Sequence, residues 1–333
     1  MLNLAREDVR QYVFNFLDQL VSENDIAFLK WDYNRNWTDP GWDAVPLDQQ
    51  KEIYIKFVDN LYGILADLRK EHPRLEIESC SGGGGRVDLG ILQYTDEVWP
   101  SDNTDALDRL VIQDGFTHAY SQNLMMAWVT DVPNRPGNRF IPLEFRFLVA
   151  MSGSLGIGGN LNNWSPDDMA IAKQFTAFYK QVRPTVQLGE LHRLMPPENS
   201  ETSAVQYVTA DGRDAVVFAY LHSQHYQRPF PIVRLEGLDP KASYRLTPLD
   251  TKKSSGSNRT QRLSTDGRRC PIQPPGRLRC CGPALGTYQV SHQDSNPAKF
   301  AVRRQRDGPT TAQRNSASVD SILAESIYPH RRR

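Results

Sequence analysis

The sequence predicts an α/β protein: an incomplete (β/α)8 barrel of the TIM type followed by a small antiparallel β domain. Three observations carry that prediction. Five short strand-like runs alternate with helix-like stretches across residues 26–158, the order expected of parallel βα units. Polar, reactive side chains gather where those runs end. From about residue 186 the pattern changes to β-rich runs divided by turn residues.

Residues 7–21 place Val9, Val13, Phe16, Leu17 and Leu20 on one helical stripe. Residues 26–32 read as a strand, and a polar loop follows through Trp42. A second amphipathic helix near 47–70 turns Ile53, Phe57, Leu61, Ile64, Leu65 and Leu68 inward, and Pro73 punctuates its end before a strand at 75–80. The alternation continues with a strand at 97–99, a helix at 104–119, a strand at 124–130, a helix at 142–151 and a strand at 155–158. A further helix starts at Pro166, behind Ser165 as N-cap.

A doubly wound sheet fits the same count of strands. The barrel is favoured because each strand ends in its own polar cluster: Lys30/Asp32, Ser79/Cys80, Asp102/Asn103, Asp131 and Asn160. The loops after successive barrel strands build one site on one face, whereas an open sheet gathers its ligands at a single switch point. Five strands leave the barrel incomplete.

Runs at 205–208, 215–220 and 232–235, separated by Asp211-Gly212 and by Pro229 and Pro231, form the antiparallel domain. The expected division is therefore 1–185 for the partial barrel, 186–250 for an incomplete β domain and 251–333 for an irregular basic tail. That last segment holds 16 Lys and Arg against 5 Asp and Glu, so the chain's net charge of zero hides about +11 there and −11 before it. Disorder is one reading of the tail. A splice or frame error is another, since the β pattern breaks off at Thr247-Pro248-Leu249-Asp250. Interleaved aromatics and RNA-binding motifs are missing from it, which argues against a nucleic-acid partner.

No apolar run approaches the length needed to span a bilayer, so an integral membrane protein is not expected. The first residues lack a basic start, an apolar core and a small-residue cleavage site, so no signal peptide is expected in this chain. The four cysteines, Cys80, Cys270, Cys280 and Cys281, have neither zinc-ligand nor redox spacing.

Three motifs carry the chemistry. In Lys30-Trp31-Asp32-Tyr33-Asn34-Arg35, alternation puts Lys30 and Asp32 on one side of the strand. A carboxylate beside an ammonium stays ionised, as a nucleophile must, although a plain salt bridge would look the same. Ser79-Cys80-Ser81-Gly82-Gly83-Gly84-Gly85-Arg86 lets backbone approach a ligand closely. It lacks the Gly-Lys-Ser/Thr of a phosphate loop, and a bare turn is the plainer reading. In Trp99-Pro100-Ser101-Asp102-Asn103-Thr104-Asp105-Ala106, Asp102 follows a strand and precedes a helix that Asn103 or Thr104 could cap. Asp105 in the first helical turn reads as structural. Glu78, which shares a strand face with Cys80, is a rival acid. Two strand-end carboxylates on one barrel face suit glycosidic bond cleavage, retaining at about 5–5.5 Å separation and inverting at about 6.5–9.5 Å.

These three motifs, in this order, resemble the α-galactosidases of glycoside hydrolase family 36, fungal members above all, over about residues 2–250. The resemblance implies that Asp32 is the nucleophile and Asp102 the acid/base. It implies that Lys30, Asn34, Cys80, Gly82 and Gly83 line the galactose subsite, with Trp99 either there or in the core. Retention by double displacement is implied, with melibiose, raffinose-type oligosaccharides and galactomannan side chains as substrates and without metal or organic cofactor. Intact relatives of this type form homo-tetramers, and secretion is expected of an intact fungal one.

Family members begin with a large β-sandwich and the first barrel strands, which have no counterpart here. The chain is therefore expected to hold the later barrel strands only, as a C-terminal fragment inactive alone. A galactosyl-transferring synthase and a non-catalytic galactose-binding remnant are the alternatives, with an α-N-acetylgalactosaminidase behind them. Asn36-Trp37-Thr38 and Asn163-Trp164-Ser165 fit the glycosylation sequon and read as chance matches.

Overall fold

The computed structural model describes residues 2–34, 41–134, 137–198, 200–223, 233–239, 242, 244–249, 261–263 and 284–292. Arg35, the first sequon, Ile232 and most of the basic tail lie outside them. The chain divides into two compact units, one of residues 1–104 with 115–126 and one of residues 105–114 with those from 127 on.

The first unit is built from βα repeats. Helix α1 (Glu7–Glu23) leads to strand β1 (Phe28–Trp31), helix α2 (Glu52–Glu71) to β2 (Glu76–Ser79), and β3 (Glu97–Val98) follows. The strands form a parallel sheet in the order β1-β2-β3, with Lys30 opposite Glu78 and Glu78 opposite Glu97. The inward face of α2 is the expected one, since Ile53, Phe57, Leu61, Ile64, Leu65 and Leu68 are all buried. Its end is pinned by Arg69, which donates to the Tyr94 and Leu75 carbonyls and pairs with Asp96. Helix α1 departs from expectation. Val9, Val13, Phe14, Leu17 and Val21 pack on the core, while Phe16 is 55% exposed. The helix is turned so that Phe14 and Val21 replace Phe16 on the buried side.

The second unit contains most of α3 (Ala106–Thr117) and of β4 (Met126–Val129), which pairs with β5 (Ser154–Ile157), together with α4 (Leu143–Ala150) and α5 (Pro166–Leu188). Ser165 caps α5 as expected, in a capping box with Asp168. The cap of α3 is Asp105 rather than Asn103 or Thr104. Its Oδ1 accepts from the Leu107 and Asp108 amides at 3.0 and 3.2 Å, which bears out its structural reading.

An antiparallel sheet follows, made of β6 (Glu190–Met195), β7 (Thr202–Val208), β8 (Asp214–Leu221), β9 (Tyr244–Pro248), β10 (Gln261–Leu263) and β11 (Ala284–His292), in the order β10-β9-β11-β8-β7-β6. Helix α5 and this sheet share one core, in which Phe175, Tyr179, Val182 and Val186 cluster with Tyr207, Val216, Phe218 and Tyr220. Two expectations need correction. Of the run expected at 232–235, the described residues 233–235 hold a β-bridge at Val233 and no extended strand, and Val233 sits buried beside Ala204 and Ala219. The segment from 251, read as irregular, supplies β10 and β11, and β11 lies between β8 and β9, with Gln289 opposite both Val216 and Thr247. Main-chain pairing on both edges needs no strongly apolar strand. The alternation at 285–290 was diluted by Arg- and Pro-rich neighbours.

Candidate active site

Asp32 is the first residue beyond β1, where the ladder ends and the side chain reaches solvent. The Asn34 amide donates to its Oδ2 at 2.8 Å, and the Tyr33 main-chain N–H donates to Oδ1 at 2.8 Å. The Cys80 thiol and the Gly82 amide donate as well. Partial burial is the largest single influence and pushes the carboxyl up. The four donors together outweigh it and hold Asp32 below its ordinary value. This corrects the sequence argument, which assigned that role to Lys30. The thiol answers in the opposite sense: burial, then the neighbouring carboxylate, push Cys80 up to about 11, so it stays protonated and able to donate.

The glycine run is a tight loop rather than a flexible one. Ser81 N–H donates to the Gly83 carbonyl at 3.0 Å and Gly85 N–H to the Ser81 carbonyl at 3.1 Å. Gly82 and Gly83 have φ of 53° and 85°. The Gly82 amide donates to Asn34 Oδ1 at 2.8 Å, on the Asp32 side. On the other side, a Cβ on Gly83 would stand 2.9 Å from Ser101 Cα and 3.0 Å from Asp102 N. One loop thus abuts both carboxylate-bearing segments. Arg86, to which sequence reasoning gave no role, closes it: Nη2 donates to the Trp31 and Cys80 carbonyls at 2.9 and 3.1 Å. The only signal for it was a lone arginine ending a glycine run.

Asp102 lies beyond β3 and is exposed. Trp99 is 3% exposed and donates its Nε1–H to Asp102 Oδ1 at 2.9 Å, so its ring forms part of the floor beneath the site. Lys30 Nζ stands 4.2 Å from the Trp99 ring centroid and 2.8 Å from Glu78 Oε1. Lys30, Trp99 and Asp102 are therefore joined by direct contacts, as Asp32, Asn34, Cys80 and Gly82 are. Glu78, the rival acid, is fully buried and cannot meet a substrate. Among the described residues no group of three or more His, Cys, Asp or Glu could hold a metal ion.

In the second unit Asp131 accepts from the Asn160 main-chain N–H at 2.8 Å and from Trp164 Nε1 at 3.4 Å. The Asp131 carboxylate thus ties the loops after β4 and β5 to each other.

Comparison with known proteins identifies the family. The family model described as Melibiase matches residues 1–189, and that of the glycosyl hydrolase family 36 C-terminal domain matches residues 202–268. Alpha-galactosidase 1 of Pediococcus pentosaceus is 38% identical over 244 residues, 73% of this chain and 33% of that protein. Alpha-galactosidase C of Emericella nidulans is also 38% identical over 244 residues, 73% of this chain and 31% of its own length. Among solved structures, a variant of the GH36 α-galactosidase AgaA from Geobacillus stearothermophilus in complex with raffinose superposes with a TM-score of 0.77 at 30% identity, covering 87% of this chain and 39% of that one. A stachyose complex of the same enzyme gives 0.75 at 31%, with the same coverage. One aspartate is asparagine in the first and another is alanine in the second, and the two are as far apart in sequence as Asp32 and Asp102.

The chain spans about a third of the length of the curated relatives it matches. Its parallel βα units are those of a TIM barrel, followed by the antiparallel C-terminal domain. With the melibiase model covering more than half of its residues, the chain belongs to the melibiase family, glycosyl hydrolase family 36.

Proposed function

We propose that this chain carries the catalytic part of a fungal-type retaining α-galactosidase, with Asp32 as nucleophile and Asp102 as acid/base. The observation that carries the proposal is the unequal setting of the two carboxylates. Asp32 is surrounded by donors that keep it ionised, while Asp102 receives one indole N–H and otherwise faces solvent. Asp102 protonates the leaving oxygen as Asp32 attacks the anomeric carbon, the C–O bond breaks and a β-galactosyl ester forms. Asp102 then takes a proton from water, which attacks the same carbon and releases α-galactose.

Lys30, Asn34, Cys80, Gly82, Gly83 and Trp99 line or floor the galactose subsite. Terminal α-galactosides of the melibiose and raffinose type and galactomannan side chains are the substrates, and the raffinose and stachyose complexes of the related enzyme support that class. The same reading extends to assembly as a homo-tetramer and to secretion.

The test uses an aryl α-galactoside and the chain joined to the N-terminal part of a matched relative. With azide added, Asp32→Ala should release β-galactosyl azide and Asp102→Ala α-galactosyl azide, because azide replaces the nucleophile in one and attacks the ester in the other. Normal hydrolysis by Asp32→Ala, or the opposite pair of anomers, overturns the assignment.

A further inference from the structure

We propose that Glu78 is a positioning residue for the acid/base carboxylate, acting through Lys30 and Trp99. The inference rests on the reading of Asp102 as the proton donor. Lys30, Glu78 and Glu97 occupy one row across β1, β2 and β3. Glu78 is fully excluded from solvent, and neither carboxylate oxygen has a regular hydrogen-bond partner among the described residues, Oε1 being held by its ion pair with Lys30. A buried carboxylate left half-satisfied is costly, so its retention calls for an explanation beyond packing.

The contacts of Glu78 supply one. Oε1 holds Lys30 Nζ at 2.8 Å. A lysine is a point charge on a flexible stem, and this side chain is 26% exposed, so the ion pair with buried Glu78 narrows the positions its ammonium takes. With Glu78 it is fixed 4.2 Å from the Trp99 centroid, within cation–π range. That contact braces the face of the nearly buried indole, and the single indole N–H donates to Asp102 Oδ1 at 2.9 Å. An oxygen that already accepts from the indole is not the one that carries the proton. The arrangement therefore directs the acid proton to Oδ2 and holds that oxygen in one place. Glu78 touches no substrate; it acts by fixing the contacts that aim Asp102.

The isosteric variant Glu78→Gln tests this in the 333-residue chain. The Trp99 indole N–H resonance, assigned through Trp99→Phe, should shift in Glu78→Gln and also in Asp102→Asn, with the other five of the six indoles nearly still. An unmoved Trp99 resonance in folded Glu78→Gln overturns the proposal, whatever the activity. If that variant does not fold, Glu78→Asp, which keeps the charge but withdraws it by one methylene, should give the same shift. In a form that hydrolyses galactosides, Glu78→Gln should slow substrates with poor leaving groups roughly 10- to 100-fold, part of what a positioned acid contributes. On a dinitrophenyl galactoside, which needs no protonation, kcat should fall far less, and any effect of a displaced Lys30 on galactose binding should appear in KM for both substrates. Equal loss of kcat on both substrates marks a merely structural role and overturns it too. Full activity of Asp102→Asn with the indole shift intact would instead refute the acid/base reading alone.

Discussion

Replacing Gly83 by alanine should destabilise the first unit far more than the same change at Gly82, although the two glycines are neighbours with φ of 85° and 53°. Both variants place an L-residue at positive φ, which costs about 1–2 kcal/mol. They differ in what the added methyl meets. At Gly82 the nearest atom is Asn34 Oδ1 at 3.8 Å, ordinary contact. At Gly83 it is Ser101 Cα at 2.9 Å and Asp102 N at 3.0 Å, and backbone cannot step aside as a side chain can. Overpacking of that kind adds about 1–3 kcal/mol, so Gly82→Ala should cost about 1–2 and Gly83→Ala about 2–5 kcal/mol in total. Urea unfolding followed by tryptophan fluorescence, at constant m-value, measures both. The displaced Ser101–Asp102 backbone should also shift the Trp99 indole resonance in Gly83→Ala but not in Gly82→Ala. Equal losses of stability would refute the argument that the loop is held against the Asp102 segment.

Cys80→Ala removes a donor to Asp32, so its lowered carboxyl pKa should rise. The acid limb of kcat/KM, set below the ordinary 3.8 by that lowering, should then move to higher pH; a limb that stays put counts against the thiol as a donor. Tyr207→Phe deletes an O–H that donates to the Ser152 carbonyl at 2.6 Å in a fully buried setting. It should cost about 1–3 kcal/mol for the acceptor left unsatisfied, read by thermal unfolding. Truncation after residue 250 removes β11 from between β8 and β9 and leaves both edges open. The shortened chain should aggregate or melt earlier in calorimetry, and an unchanged Tm would refute the placement of β11.

How much of this was legible in the sequence differs by element. The α2 stripe was read residue for residue, because a period near 3.6 in a helix packed on one side leaves no other solution. Helix α1 was turned differently, since Phe14 and Val21 offer a second apolar stripe beside the one through Phe16, and the core takes that one. The strands ending at Asp32, Cys80 and Trp99 were found because short apolar runs ended in polar clusters. Strand β6 was missed because Glu190, His192 and Arg193 interrupt its apolar residues, and β11 because it lies in a segment whose composition reads as disorder.

The chain by itself determined the βα order, the two carboxylates and the glycine loop between them, since each is a local pattern of residue types. Partners across strands were decided only by the tertiary structure. Parity puts Lys30, Asp32 and Glu78 on usable faces, but register alone sets Lys30 against Glu78 and leaves Asp32 to Cys80, Asn34 and two amides. Charge type is written in the sequence, whereas the neighbour that tunes it depends on which strands lie side by side and at what offset.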